Sequence, residues 1–80
     1  MESPHLNLRC FGMLTEITGA ESHQVPFVDN TETLLHQLFQ QWPALRSIPF
    51  QVAVNLHIIQ EPQPLQPGME IALLPPFSGG

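Results

Sequence analysis

The sequence predicts an α+β domain, a mixed sheet of four to five strands with one main helix packed on one face. Three observations predict it. Segments near both ends of the chain alternate apolar and polar residues, and a single apolar stripe of helical period occupies the middle. Nine prolines, most of them after residue 42, cut the remainder into short strands and turns. The chain has 80 residues, 42% hydrophobic and 11% charged. That is one domain, and folding at this size hides only about 60–65% of the surface of the unfolded chain. A core so small disfavours an enclosed catalytic pocket.

The elements follow in order. Over residues 5–11, Leu6, Leu8 and Cys10 share one face, and Asn7, Arg9 and Phe11 the other, as in a half-buried strand. Met13, Leu14 and Ile17 then fall at helical spacing, and Gly19 is a natural stop, so residues 13–18 form a short helical turn. Residues 22–28 read as a second strand, which Pro26 consigns to an edge or a break. Asp29, Asn30 and Thr31 supply capping chemistry for the main helix. Leu35, Leu38, Phe39 and Trp42 recur there at i, i+3, i+4 and i+7, with His36, Gln37, Gln40 and Gln41 on the wet side, until Pro43 halts the run.

After an irregular stretch through Leu45 and Ile48, residues 50–59 are apolar and β-branched around Asn55. They predict a strand, a turn near residues 55–57 and a return strand. Residues 64–68 are rich in turn formers, and residues 70–74 alternate Ile71 and Leu73 against Ala72 and Leu74. One helix covers one face of such a sheet. If Leu6, Leu8, Ile71 and Leu73 point at it, parity puts Phe11 and Leu74 on the open face as a candidate docking patch.

Seven acidic residues stand against Arg9 and Arg46, with no lysine, for a net charge of −5. Nucleic acid and anionic membranes are therefore excluded as main partners, while a basic protein surface fits. Cys10 has no partner for an internal disulfide, parity turns it inward, and the first residues lack an export signal. These features point to a reducing, cytoplasmic setting. His5, His23, His36 and His57 show no metal-site spacing with Cys10, and Ser78 lacks the context of a hydrolase nucleophile.

The last six residues are Pro75, Pro76, Phe77, Ser78, Gly79 and Gly80. The two prolines end the last strand, so residues 1–74 form the domain and residues 75–80 an extended tail. Six extended residues reach about 20 Å, enough to thread a narrow channel. Gly79 and Gly80 carry no Cβ, so a terminal carboxylate could pass where any side chain would be blocked.

From Leu6 to Gly80 the chain resembles the β-grasp, ubiquitin-like sulfur carriers, most closely the small subunits of molybdopterin synthase. The resemblance lies in Phe11 and Gly19, in Thr31 at the helix start, in Ala53, Val54 and Asn55, and in Pro64 and Leu65 followed by Gly68. Its most specific part is the closing run from Glu70 to Gly80. It implies that an ATP-dependent, ubiquitin-activating-like enzyme adenylates Gly80, that a sulfur donor protein displaces AMP to leave a thiocarboxylate, and that the sulfur passes to a pterin precursor. Adenylation is required because a carboxylate repels nucleophiles and lacks a good leaving group. The resemblance also implies no permanently bound cofactor and a larger synthase subunit that holds the catalytic residues and takes up the tail. Gly80 is then the reacting residue and Gly79 gives it access. Phe11, Ile58 and Leu74, with Pro75, Pro76, Phe77 and Ser78, meet the partners.

Two positions depart from the usual pattern. Thr15 stands before the shared Glu16 where many relatives have arginine, and Pro67, Gly68 and Met69 replace a common Asp-Gly-Asp turn. Both touch potential partner contacts. An activated diglycine also serves a ubiquitin-like protein modifier, or a sulfur carrier for thiamine or another thiolated metabolite, so the tail alone leaves those alternatives open.

Overall fold

In the computed structural model, which describes residues 3–76, the alternating segment forms strand β1 (His5–Cys10). The short helix α1 (Met13–Thr18) ends where Gly19, at φ 91°, donates its N–H to the Thr15 carbonyl at 2.8 Å. Leu14 and Thr18 face the core from α1, whereas Met13 is exposed. Strand β2 (Ser22–Pro26) runs antiparallel to β1 and stops two residues earlier than the sequence suggested. Phe27 still donates its N–H to the Pro4 carbonyl at 3.2 Å, so the missing N–H of Pro26 faces the open edge of β2, where such a residue is tolerated.

Helix α2 (Thr31–Gln41) begins at Asn30, whose side-chain oxygen accepts the Thr33 N–H at 2.8 Å. Its deepest stripe is Thr31, Leu34 and Leu38; the predicted Leu35, Phe39 and Trp42 flank it, partly buried against the core. The apolar arc is therefore wider than the stripe read from spacing, and rotated from it. A 3-10 turn (Pro43–Ser47) follows and sinks Leu45 completely into the core. Strand β3 (Gln51–Val54) turns at Asn55 and Leu56 into the two-residue β4 (His57–Ile58), and β5 (Glu70–Leu74) closes the sheet.

The strand order is β2-β1-β5-β3-β4, with β1 and β5 parallel at the centre and the other pairs antiparallel. Leu8 pairs with Ile71 and Cys10 with Leu73 across the parallel pair, and Leu73 meets Val52 of β3. Leu6, Leu8, Leu45, Ile71 and Leu73 lose all solvent exposure between sheet and helices. Each such leucine or isoleucine contributes about 1.5–3 kcal/mol of burial, as an upper estimate.

The loop before β5 is part of the same core. Thr31 donates its N–H to the Gln63 carbonyl and its hydroxyl oxygen accepts the Gln63 N–H, both at 2.9 Å. Leu65 donates its N–H to the Asp29 carbonyl at 2.7 Å and buries its side chain. No helix among the described residues is long and apolar enough to cross a membrane.

The β3–β4 turn stores strain. Asn55 and Leu56 have φ of 47° and 73°. Asn55 tolerates this region and anchors the turn to β5, its side-chain oxygen accepting the Glu70 N–H at 3.0 Å and its own N–H donating to the Glu70 carbonyl at 2.8 Å. Leu56 is 84% exposed and gains no packing in return. Leu56→Gly is accordingly expected to raise stability by about 0.5–1 kcal/mol, read as a higher urea midpoint at unchanged slope. An unchanged or lower midpoint would show that the turn is not strained.

Candidate functional site

Because β1 and β5 are parallel, their C-terminal ends lie side by side. Phe11 continues the pairing by one residue, donating its N–H to the Leu73 carbonyl at 3.2 Å. The chain leaving β5 at Leu74 and Pro75 therefore emerges next to Phe11 and Gly12. Gly12 has φ 61° and ψ −138°, and a Cβ there would meet the Pro75 ring at 3.2 Å. Only glycine adopts this backbone without strain, and only its missing side chain lets Pro75 lie so close.

The outward sheet face divides into two zones. Toward β2 it is polar, with Asn7 opposite both Gln24 and Glu70, and Arg9 opposite both Ser22 and Ala72. Arg9 lies 3.8 Å from the Glu70 carboxylate and its guanidinium 5.9 Å from the Phe11 ring centre. Both charged side chains are 40–45% exposed, so their attraction is worth well under 1 kcal/mol. Its effect is to hold the arginine across the boundary between the zones.

Toward β3 and β4 the face is apolar. Ala72 pairs with Ala53, and Ala53 with Ile58, while Leu74 lies opposite Gln51. The two alanines are nearly buried although they point outward, because larger neighbours overshadow them. They form the floor of a shallow dish. Phe11 and Ile58 are 42% and 45% exposed, and Leu74 is half-buried.

The structure thus gathers Phe11, Ile58, Leu74 and Pro75 on one face and its tail end, with Pro76 exposed beyond them. Phe77, Ser78, Gly79 and Gly80 lie outside the described residues. Sequence reasoning missed Gly12, Ala53 and Ala72 as parts of this surface. A glycine between a strand and a helix that stops at another glycine was the available signal for the first. The alanines stood out only as small residues in otherwise bulky strands.

Cys10 is buried with Thr18, whose hydroxyl donates to the Ala20 carbonyl at 3.1 Å and sits 3.4 Å from the sulfur. Burial pushes the thiol above its ordinary range, with the Thr18 contact opposing in part, so the sulfur is protonated at neutral pH. It is a packing group on the face away from the dish. Thr15, one of the two departures, donates its hydroxyl to the Cys10 carbonyl at 2.9 Å and so secures α1 to β1.

A model of the ThiS family matches residues 8–80, nearly the whole chain. The chain belongs to the ThiS family. Solved structures carry the same fold. SAMP1 from Haloferax volcanii is 26% identical, with a TM-score of 0.77 over 95% of this chain and 99% of that one. A chain from a complex of subunits 1 and 2 of the molybdopterin-converting factor of Helicobacter pylori is 29% identical, with a TM-score of 0.67 over 95% and 99%. A putative molybdopterin converting factor subunit 1 from Pyrococcus furiosus reaches a TM-score of 0.84 over 94% and 100% at only 13% identity, a likeness of fold alone. The ubiquitin-like β-grasp fold expected of the sequence is the one this ThiS-family chain adopts.

The glycine beside the tail provides a test. Gly12→Ala is expected to cost about 1–3 kcal/mol and to shift the amide resonances of Phe11 and Leu74 as Pro75 is displaced. Gly19→Ala, also at positive φ but with nothing within 4 Å of the added methyl, should lose stability without moving Leu74. Equal shifts at Leu74 in the two variants would remove the positioning role of Gly12.

Proposed function

We propose that this protein is the sulfur-carrying subunit of a molybdopterin synthase, with Gly80 as the group that reacts. Supporting this reading is the juxtaposition of the tail base with the apolar dish, in a chain whose family match runs through residue 80. A partner that seats Phe11, Ile58 and Leu74 has the start of the tail, Pro75 and Pro76, at the edge of its contact.

In this reading the Gly80 carboxylate attacks the α-phosphorus of ATP within a ubiquitin-activating-like enzyme, releasing pyrophosphate. The resulting mixed anhydride has AMP as its leaving group. The terminal sulfur of a persulfide on a sulfur donor protein attacks the carbonyl and AMP departs. A second thiol then reduces the resulting acyl disulfide, breaking its S–S bond to free the donor and leave the thiocarboxylate. The larger synthase subunit then takes up the tail and supplies the catalytic side chains, while this chain supplies sulfur, reach and steric access. ATP is used by the activating enzyme and no cofactor stays on this chain. The pairing of subunits 1 and 2 in the Helicobacter pylori complex favours such a partner. A cytoplasmic location is part of this reading, since a lone buried Cys10 and a terminal thiocarboxylate both suit a reducing compartment.

The similarity to SAMP1 favours a second reading, in which the same activated Gly80 forms isopeptide bonds with lysines of target proteins. Intact-mass analysis of protein from its native host separates the two. A C-terminal exchange of oxygen for sulfur is expected of the carrier, and lysine-linked adducts of the modifier. Appending one residue after Gly80 is expected to abolish molybdopterin formation in a reconstituted assay, and undiminished formation would rule out the terminal carboxylate. Leu74→Glu should leave the unfolding free energy from urea titration within about 1 kcal/mol of wild type, yet weaken binding to the activating enzyme or large subunit by more than tenfold. Unchanged affinity for both partners would remove the dish from the interface.

A further inference from the structure

On the helix side of the sheet, away from the dish, a groove of about 340 Å³ opens between the first turn of α2, the start of β3 and the segment that follows β4. Leu35, Phe50, Val52 and Ile59 give it an apolar floor, where α2 leaves the inward side of β3 incompletely covered. Its walls are fixed. The reciprocal Thr31–Gln63 hydrogen bonds tie the loop to the helix start, and Ile59 donates its N–H to the Val52 carbonyl at 2.9 Å.

The ionisable side chains lining the groove are Glu32 and Glu61, and among the described residues neither forms an ion pair. Glu32 lies in the first turn of α2, where the positive end of the helix offsets part of its charge, so Glu61 is the principal anion. The two arginines are committed elsewhere, Arg9 beside Glu70 and Arg46 over the Phe39 ring at 4.9 Å. An anionic ligand would meet repulsion here. The volume is at the small end of ligand pockets, which run from about 300 to 1,000 Å³, and so suits one or two side chains.

We propose that this groove receives a short segment of a partner protein in which a bulky apolar side chain sits beside a lysine or arginine. The apolar group covers Leu35, Val52 and Ile59 while the cation faces Glu61 and Glu32. Since the dish lies on the opposite face of the sheet, the protein can be held here while its tail is engaged elsewhere.

Titration of the ¹⁵N-labelled protein with a blocked peptide carrying a leucine-phenylalanine centre between lysines tests this. Amide shifts are expected at Glu32, Leu35, Val52, Ile59 and Glu61, and largely absent with the matching glutamate peptide. The double variant Glu32→Gln, Glu61→Gln, both at exposed positions, should fold normally and bind the lysine peptide roughly three- to tenfold more weakly. Three outcomes overturn the proposal: shifts confined to Ile58, Ala72 and Leu74, equal responses to the two peptides, or an undiminished affinity of the double variant. Shifts at the groove that grow with protein concentration in the absence of peptide would assign it to a second copy of this chain and overturn it equally.

Discussion

The parallel pairing of β1 with β5 is the contact on which the rest of the molecule depends. It joins the two ends of the described chain across a sequence separation of more than sixty residues, through Leu8 with Ile71 and Cys10 with Leu73. Such a closure is entropically costly, and the side chains that offset it are fully or almost fully buried. The other strands build outward from this pair, β2 on the outer side of β1, β3 on the outer side of β5 and β4 beyond β3. Parallel strands end at the same side of a sheet. That is why the tail base, Phe11 and Gly12 are neighbours, and why the chain leaves β5 beside the apolar outward face.

The two faces of the sheet have separate tasks. The inward face is lined by Leu6, Leu8, Ile71 and Leu73 and covered by α1, α2 and the 3-10 turn. The outward face keeps its centre shallow with Ala53 and Ala72, so that Phe11, Ile58 and Leu74 rise around it without forming a protruding patch prone to unspecific association. Pro26 at one edge and a strand of two residues at the other limit pairing between molecules. The protein thus leaves apolar side chains exposed on one face while its sheet edges stay unreceptive to further strands.

Much of this was legible in the chain itself. Period-two alternation identified β1 and β5 and assigned their faces correctly, because a residue shifted by one position would have put leucines in water. Gly19 and Asn30 marked the end of α1 and the start of α2 through local backbone chemistry. Spacing was less informative about the deepest stripe of α2, since Leu34 and Leu35 are equally apolar and the choice between them is made by what the helix packs against. Leu45 and Leu65 lay in stretches that read as irregular; a 3-10 turn carries Leu45 into the core, and a long-range bond to Asp29 holds the loop that buries Leu65.

By itself, the sequence determined the fold class, the order of the elements and the sides of the central strands, because those follow from local periodicity and from proline and glycine stereochemistry. It also disfavoured an enclosed pocket, since eighty residues build too small a core to surround one. Tertiary structure alone decided that Gly12 makes room for Pro75, that two alanines floor the outward apolar dish, and that Glu32 and Glu61 border one groove. Each of these is a juxtaposition of residues far apart in the chain. No periodicity encodes such a pairing; it exists only once strand register and helix position have been fixed by packing.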